Sequence, residues 1–173
     1  AANIAVFMEK YPTAKIVSSA KAFAMMVNFF GTDWKDRQVV VKEGDTLSLG
    51  KHTLQFFGAA MVHWPEVIVS YEQHTRTLFS ADAFGKFGVL SHDEDWACEA
   101  RRYYFNICGK YGAQVQNLLK KLGTLDVATI CPLHGPILTE NLGYYLHLYD
   151  IWSRYDVETE GIFIAYASIH GGT

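Results

Sequence analysis

The chain has 173 residues, half of them hydrophobic and 19% charged, and its formal net charge at neutral pH is −3. This length and composition suffice for one domain with a buried core, and they exclude a largely disordered chain. Basic and acidic residues are mixed along the sequence, so we expect no continuous positive surface for nucleic acid or an anionic membrane.

The cysteines and the termini indicate a cellular compartment and a partial chain. Cys98, Cys108 and Cys131 are odd in number and lack CxxC spacing, which is typical of reduced thiols packed as small hydrophobic side chains in a cytoplasmic protein. No apolar run reaches the ~20 residues that cross a bilayer, so no membrane partner is expected. The N-terminus lacks an initiator methionine and a signal-peptide pattern, and the C-terminus breaks off in an apolar stretch. We therefore predict a fragment of a longer cytoplasmic protein.

The first forty residues predict a helix, a strand and a second helix. Apolar residues at helical spacing before Pro12 indicate a short amphipathic helix that proline ends. A brief strand is expected at 15–17. The next helix, Ala20–Phe30, is almost entirely apolar, with serines before it as capping residues and Gly31 as its stop. We expect this helix to be well buried.

The middle of the chain changes to a β pattern. Runs rich in β-branched and aromatic residues alternate with turn residues such as Gly44-Asp45 and Gly50-Lys51, which predicts a meander of short strands. These strands are predicted at 39–41, 46–49, 53–57, 67–71 and 75–79.

The last third predicts an alternation of helix and strand. A block of strands followed by helix, strand and helix is the order expected for the second half of an αββα sandwich, so we predict an α/β fold. The elements are a helix over 95–122 interrupted near Gly109 and Gly112, a strand at 127–131, a helix at 139–153, a polar connector at 155–160 and an apolar strand at 162–167.

Three loops, each after an apolar stretch, contain a side chain that can bind a metal. Imidazole and carboxylate groups bind borderline metals, and strand ends can hold them in a fixed geometry. Each loop taken alone is typical of a capped turn, whereas together they make His63, Asp82 and His134 candidate metal ligands. The loops are Met61-Val-His63-Trp-Pro-Glu66, Ser80-Ala-Asp82-Ala-Phe-Gly85 and Cys131-Pro-Leu-His134-Gly-Pro136.

The order histidine, aspartate, histidine after successive strands resembles the metallo-β-lactamase superfamily over residues 1–156. Within it, the segments 63–66 and 78–85 resemble the flavodiiron branch, and 164–173 resembles the opening strand and FMN phosphate loop of flavodoxins. The resemblance implies a partial metallo-β-lactamase-like αββα sandwich that runs into the first strand of a flavodoxin-like domain. Residues 1–157 would form the di-iron domain, without its N-terminal part, and 161–173 the start of a truncated FMN domain.

The resemblance also implies cofactors and their ligands. Two iron ions would be bound by His63, Asp82 and His134, with Asp82 as the bridging carboxylate, and no catalytic residue is expected beyond these ligands. The remaining ligands of the family belong to a His-x-Glu-x-Asp motif that the 173 residues do not contain, so only part of the metal site is expected. The FMN phosphate would be bound by Ser168, Gly171, Gly172 and Thr173.

The flavodiiron resemblance implies an oxidoreductase that reduces O2 to water and/or NO to N2O. Electrons would come from a donor such as a rubredoxin or a flavin reductase and pass through FMN, within a head-to-tail homodimer. The isolated fragment is expected to be inactive. Two alternatives stay open: a zinc-dependent hydrolase of the same superfamily, and a non-catalytic interaction or sensor domain.

Four further histidines lie outside the three loops that contain the candidate ligands. His52 and His74 fall in predicted hairpin turns, and His147 lies on a predicted helix, so surface or core-edge positions are expected for all three. His92 is followed by three acidic residues and is a further candidate to approach the metal site from its loop.

Overall fold

The computed structural model describes residues 3–90, 95–167 and 171. The described residues form two sheets and a layer of helices, and most of the predicted elements are confirmed within two residues at each end. In chain order they are α1 (Ile4–Lys10), β1 (Ile16–Ser18), α2 (Ala20–Phe30), β2 (Gln38–Val40), β3 (Thr46–Ser48), β4 (Thr53–Gly58), β5 (Ile68–Glu72), β6 (Thr77–Phe79), α3 (Trp96–Ile107), α4 (Gly112–Leu122), β7 (Thr129–Cys131) and α5 (Leu142–Arg154).

Helix α2 begins and ends at the residues that the sequence indicates. The Ser19 hydroxyl accepts a hydrogen bond from the Ala22 amide at 3.1 Å, and Gly31 ends the helix in the left-handed conformation, with φ of 69°. The prediction that this helix is well buried is wrong. Ala22 and Phe23 are buried, whereas Phe29 is 67% exposed, because the helix packs through one face only.

The main sheet has five strands in the order β3-β4-β5-β6-β7. The first four are antiparallel neighbours joined by hairpins, as the predicted meander requires. Strand β7 joins β6 in parallel, with Leu78 opposite Ile130 and Phe79 opposite Cys131. Strands β1 and β2 form a separate parallel pair. Because β4, β6 and β7 run in the same direction, their C-terminal ends lie at one edge of the main sheet.

The core lies between the main sheet and helices α3, α4 and α5. Apolar side chains such as Val69 and Leu78 on the sheet meet buried aromatic side chains of the helices. Tyr104 lies with its ring centroid 5.5 Å from that of Trp152 and 5.1 Å from that of Tyr149. This aromatic cluster anchors the helical layer, since such rings bury large areas in well-defined geometries.

The cysteines differ in their surroundings. Cys108 is buried and Cys131 half-buried, but Cys98 is exposed, so its expected burial is wrong. Burial chiefly, with the charge of Asp82 as a smaller cause, raises the pKa of the Cys108 thiol to about 12. No helix among the described residues is both long and apolar enough to span a bilayer.

The strand predicted at 162–167 is not formed. Ile162, Phe163 and Ile164 are 92%, 91% and 78% exposed, and residues 161–167 have no regular secondary structure. A strand needs a neighbour for its backbone hydrogen bonds, and none of the described strands pairs with this segment. The polar connector at 155–160 is held to α3 and α5. Its residue Glu158 accepts hydrogen bonds from Arg101 of α3 and from Trp152 Nε1 of α5. The proposed division into two domains stays a prediction.

Candidate metal centre

The three predicted ligands come from loops at the same edge of the main sheet. His63 lies in the loop after β4, Asp82 in the loop after β6, and His134 in the loop after β7. The topology of the sheet therefore explains how residues far apart in the sequence meet, since the strands before the three loops end at a common edge.

Asp82 lies between the two histidines, as the sequence predicts. His63 Nε2 is 3.3 Å from Asp82 Oδ2, and His134 Nε2 is 3.5 Å from Asp82 Oδ1. Each imidazole thus faces a different oxygen of one carboxylate. The Asp82 side chain is 14% exposed, that of His63 27% and that of His134 60%, so the trio opens to solvent on the side of His134.

Backbone and hydroxyl hydrogen bonds fix the Asp82 loop relative to the His134 loop. The buried Ser80 hydroxyl donates to the Ala83 carbonyl at 2.8 Å. The Ser80 amide donates to the Cys131 carbonyl at 3.2 Å, and the Leu133 amide donates to the Ala81 carbonyl at 2.8 Å. These bonds continue the β6–β7 pairing past the strand ends, so the two loops are held as one unit.

Non-glycine residues in the left-handed region cluster beside the candidate ligands. Met61, Ala81 and Phe84 have φ angles of 66°, 54° and 66°. Side chains with a Cβ rarely adopt this conformation, and it is found preferentially where the surrounding structure imposes a local geometry for function. The surrounding structure therefore imposes the backbone conformation of the two loops that contain His63 and Asp82.

Gly85 allows the loops and α3 to approach closely. A Cβ at this position would lie 2.9 Å from the His134 carbonyl oxygen, 3.0 Å from that of Asp82 and 3.2 Å from Tyr103 Cε1. Two of these atoms belong to backbone, which cannot move aside as a flexible side chain would. The glycine in Asp82-Ala-Phe-Gly85 is thus required by packing around the centre.

A cavity of about 530 Å³ opens beside the trio. Its size is within the range of small-molecule sites, and polar and apolar side chains share its walls. The lining residues include His63, Asp82, Lys86, Phe87, Leu90, Tyr103, Ile107, Leu133 and His134.

Tyr103 and Lys86 are cavity residues that the sequence reasoning missed. Burial, followed by the nearby charge of Asp82, raises the pKa of the Tyr103 phenol well above its usual value. Lys86 is only 7% exposed, although lysine is rarely buried. The sequence offers one signal for Lys86, its position directly after the Asp82 loop. It offers none for Tyr103, because the rotation of α3 over the sheet decides that contact.

The two aromatic residues next to candidate ligands in the sequence, Trp64 and Phe84, are not among the residues that line the cavity. Phe84 is fully buried, with its ring centroid 4.6 Å from that of Tyr149, and belongs to the core. Trp64 is 47% exposed. His92 lies outside the described residues, as do Ser168, Gly172 and Thr173.

His63, Asp82 and His134 form an incomplete candidate for a metal site. Among the described residues, no three or more His, Cys, Asp or Glu side chains are arranged so that together they could hold one metal ion. The trio instead consists of two separate contacts to one carboxylate. If metal were bound here, the imidazoles of His63 and His134 and the carboxylate of Asp82 would be the groups that hold it.

Comparison with known proteins identifies the family. The family model described as ODP family beta lactamase matches residues 1–135. The chain belongs to this family. The solved rubredoxin oxygen:oxidoreductase from Desulfovibrio gigas is 30% identical, with a TM-score of 0.80 over 88% of this chain and 41% of that one. The flavodiiron protein from Giardia intestinalis is 26% identical, with a TM-score of 0.79 over 89% of this chain and 39% of that one.

A curated relative, diflavin flavoprotein A 1 from Synechocystis sp., is 30% identical over 156 residues, which are 86% of this chain and 27% of that protein. These similarities confirm the flavodiiron resemblance and the metallo-β-lactamase-like fold that the sequence predicts. The chain spans 42% and 29% of the length of the first two curated relatives that it matches.

Proposed function

We propose that this chain forms part of the di-iron centre of a flavodiiron oxidoreductase, with His63, Asp82 and His134 as iron ligands. The whole protein would reduce O2 to water and/or NO to N2O with electrons delivered through FMN. The observation that carries the proposal is the carboxylate of Asp82, which faces one imidazole Nε2 at each of its two oxygens.

The donor set suits the proposed metal. Imidazole nitrogen and carboxylate oxygen are both ligands of non-haem iron. A carboxylate that offers one oxygen to each of two ions is suited to hold them as a pair. When bound, iron would supply open coordination positions for O2 or NO and the electrons for their reduction.

The residues of the cavity would prepare the site for a small, uncharged substrate. Tyr103 keeps its phenolic proton at physiological pH, since its pKa is raised by burial and by Asp82, so its hydroxyl remains a hydrogen-bond donor. Leu90, Ile107 and Leu133 contribute apolar surface to the same cavity, which disfavours water relative to a diatomic gas.

The flavin and partner assignments belong to the same proposal. The FMN phosphate would be bound by Ser168, Gly171, Gly172 and Thr173, of which Gly171 alone is described, with a φ of 71° that suits a glycine loop. A rubredoxin-type donor is supported by the name of the Desulfovibrio gigas relative. A flavin reductase as donor, the head-to-tail homodimer and the cytoplasmic location remain predictions.

Anaerobic titration with ferrous iron tests the proposal on the chain itself. We expect saturable iron binding that His63→Ala and His134→Ala each weaken strongly, whereas His147→Ala, which removes an exposed histidine on α5, leaves binding unchanged. Thermal unfolding of each variant verifies that the fold is retained. Iron binding that is indifferent to both ligand substitutions would contradict the proposal. Tight zinc binding with esterase or nuclease turnover would support the hydrolase instead.

A further inference from the structure

Two histidines face each other at the edge of the main sheet opposite the candidate metal centre. His52 directly precedes β4 and His74 follows β5. The antiparallel register pairs Leu54 with Glu72, and two residues further towards that edge the same register places His52 opposite His74. Their ring centroids are 5.5 Å apart with an edge-to-face geometry. Both residues are accessible: the His52 side chain is 45% exposed and His74 is exposed.

The carboxylate of Glu72 contacts the His52 ring and orients it. Its carboxylate is largely buried and accepts hydrogen bonds from the His74 amide at 3.0 Å, from the Thr75 amide at 2.7 Å and from the Thr75 hydroxyl. His52 Nδ1 lies 3.2 Å from Glu72 Oε1. A carboxylate at this distance favours the tautomer with its proton on Nδ1, which leaves the lone pair on Nε2.

The anionic state of Glu72 is secured by its surroundings. The hydrogen bond from the Thr75 hydroxyl is the largest cause, and the backbone amides of Thr75 and His74 and the His52 ring add to it, so that the pKa of Glu72 falls to about 2. The carboxylate is therefore ionised at neutral pH.

We propose that His52 and His74 form a second metal site, which binds a divalent transition cation such as Zn2+ through the two imidazoles, with water completing the coordination. Zinc ligands in proteins commonly donate their second ring N–H to a carboxylate, which orients the ring and raises its basicity. Glu72 occupies that position for His52. Imidazole is a preferred zinc ligand, and a separation of 5.5 Å between the ring centroids brings both rings within reach of one ion. The site is independent of the proposed iron centre.

Zinc binding to the full chain tests the proposal. Equilibrium dialysis with Zn2+ alone is performed on a His63→Ala, His134→Ala background, so that the candidate iron centre does not contribute. We expect one saturable zinc ion per chain. His52→Gln and His74→Gln should each weaken its binding at least tenfold, and Glu72→Gln should weaken it by about 10–100-fold, which is typical for loss of a carboxylate behind a ligating histidine.

His147→Gln is the matched control, because His147 is also exposed but lies on α5 and is not part of the His52–His74 pair. The zinc affinity of this variant should equal that of the background. Ring resonances of His52 and His74 in NMR spectra should shift on zinc addition while those of His147 stay unchanged. No saturable zinc, or equal zinc affinity in the background and the His52→Gln and His74→Gln chains, would overturn the proposal. Since both histidines are accessible, these two variants remain decisive even if Glu72→Gln disturbs the turn.

Discussion

Asp82 is the residue on which both imidazoles of the candidate centre converge. Replacing it with asparagine leaves one oxygen and puts an NH2 group in place of the other, so at least one Nε2 faces a donor instead of an acceptor. We expect Asp82→Asn to weaken ferrous iron binding by more than either histidine substitution, measured by anaerobic titration. Asp126→Asn is the control, since Asp126 is 77% exposed and pairs with Arg76. Equal losses in both variants would indicate a general effect of charge.

Glu72 links pH to stability. Its pKa in the folded chain is lowered from 4.5 to about 2, so its ionisation stabilises the fold at pH values above 4.5, and this contribution is lost as the pH falls towards 2. Glu72→Gln should therefore lower the urea midpoint at pH 7, and the difference from the original chain should shrink at pH 3. An unchanged difference at pH 3 would assign the effect to shape rather than charge.

At the residue scale, the sequence predicts those site residues whose chemistry and position after a strand are both informative. His63, Asp82 and His134 satisfy both conditions, and the structure brings them together. Tyr103 does not, because a tyrosine on an amphipathic helix is typical of a core position. The contact that makes it a cavity residue depends on how α3 lies across the sheet.

The junction of α4 with α5 depends on a glycine. A Cβ on Gly112, the first residue of α4, would lie 2.3 Å from the Ser153 carbonyl oxygen of α5. We expect Gly112→Ala to lower the free energy of unfolding by about 1–3 kcal/mol, as overpacking typically does. Urea denaturation followed by far-UV circular dichroism measures this loss.

Gly143 provides the matched control within the same pair of helices. It lies in the first turn of α5, and a Cβ there would meet nothing within 4 Å. Gly143→Ala should stabilise the chain by about 0.4–1 kcal/mol, because alanine restricts the unfolded chain and suits a helix. A loss in Gly143→Ala as large as that in Gly112→Ala would contradict the steric explanation.

At the element scale, the sequence predicts those helices and hairpins whose formation depends on interactions between residues close in the chain. The hairpins of β3 to β6 follow from turn residues between short β-branched runs, and the helices follow from apolar spacing and caps. The parallel pairing of β6 with β7 is not readable from the sequence, since it depends on how the intervening helices pack. The apolar run at 162–167 predicts a strand, but strand formation also requires a partner that composition cannot supply.

For the molecule as a whole, we expect the aromatic cluster formed by side chains of α3 and α5 to contribute strongly to stability. Trp152 is 1% exposed, and its Nε1 donates to Glu158 at 2.6 Å. Trp152→Ala should cost about 3–5 kcal/mol through the cavity that it leaves, which is a large part of the total stability of a typical domain. Trp64→Ala, at a position 47% exposed, should change the urea midpoint little. Similar midpoints for the two variants would show that the cluster is not the main source of stability.

The sequence also predicts the class of the whole molecule, because a block of strands followed by helix, strand and helix permits few layer arrangements. It does not predict how the β1–β2 pair and α2 sit beside the main sheet. That arrangement depends on contacts between distant side chains, such as the hydrogen bond from the Ser19 hydroxyl to the Glu66 carbonyl at 2.9 Å.

The parallel pairing of β6 with β7 has a consequence for the order of folding. The hairpins that join β4, β5 and β6 are local, so we expect them to form early and to bring the loops of His63 and Asp82 to one edge. Leu78 meets Ile130 only after the chain has built α3 and α4 between them, and contacts across such a span form slowly. We therefore expect His134 to join the other two residues late in folding. We expect newly made chains to pass through a stage with one imidazole beside the carboxylate, so that the proposed iron centre would be completed only after the helical layer has closed.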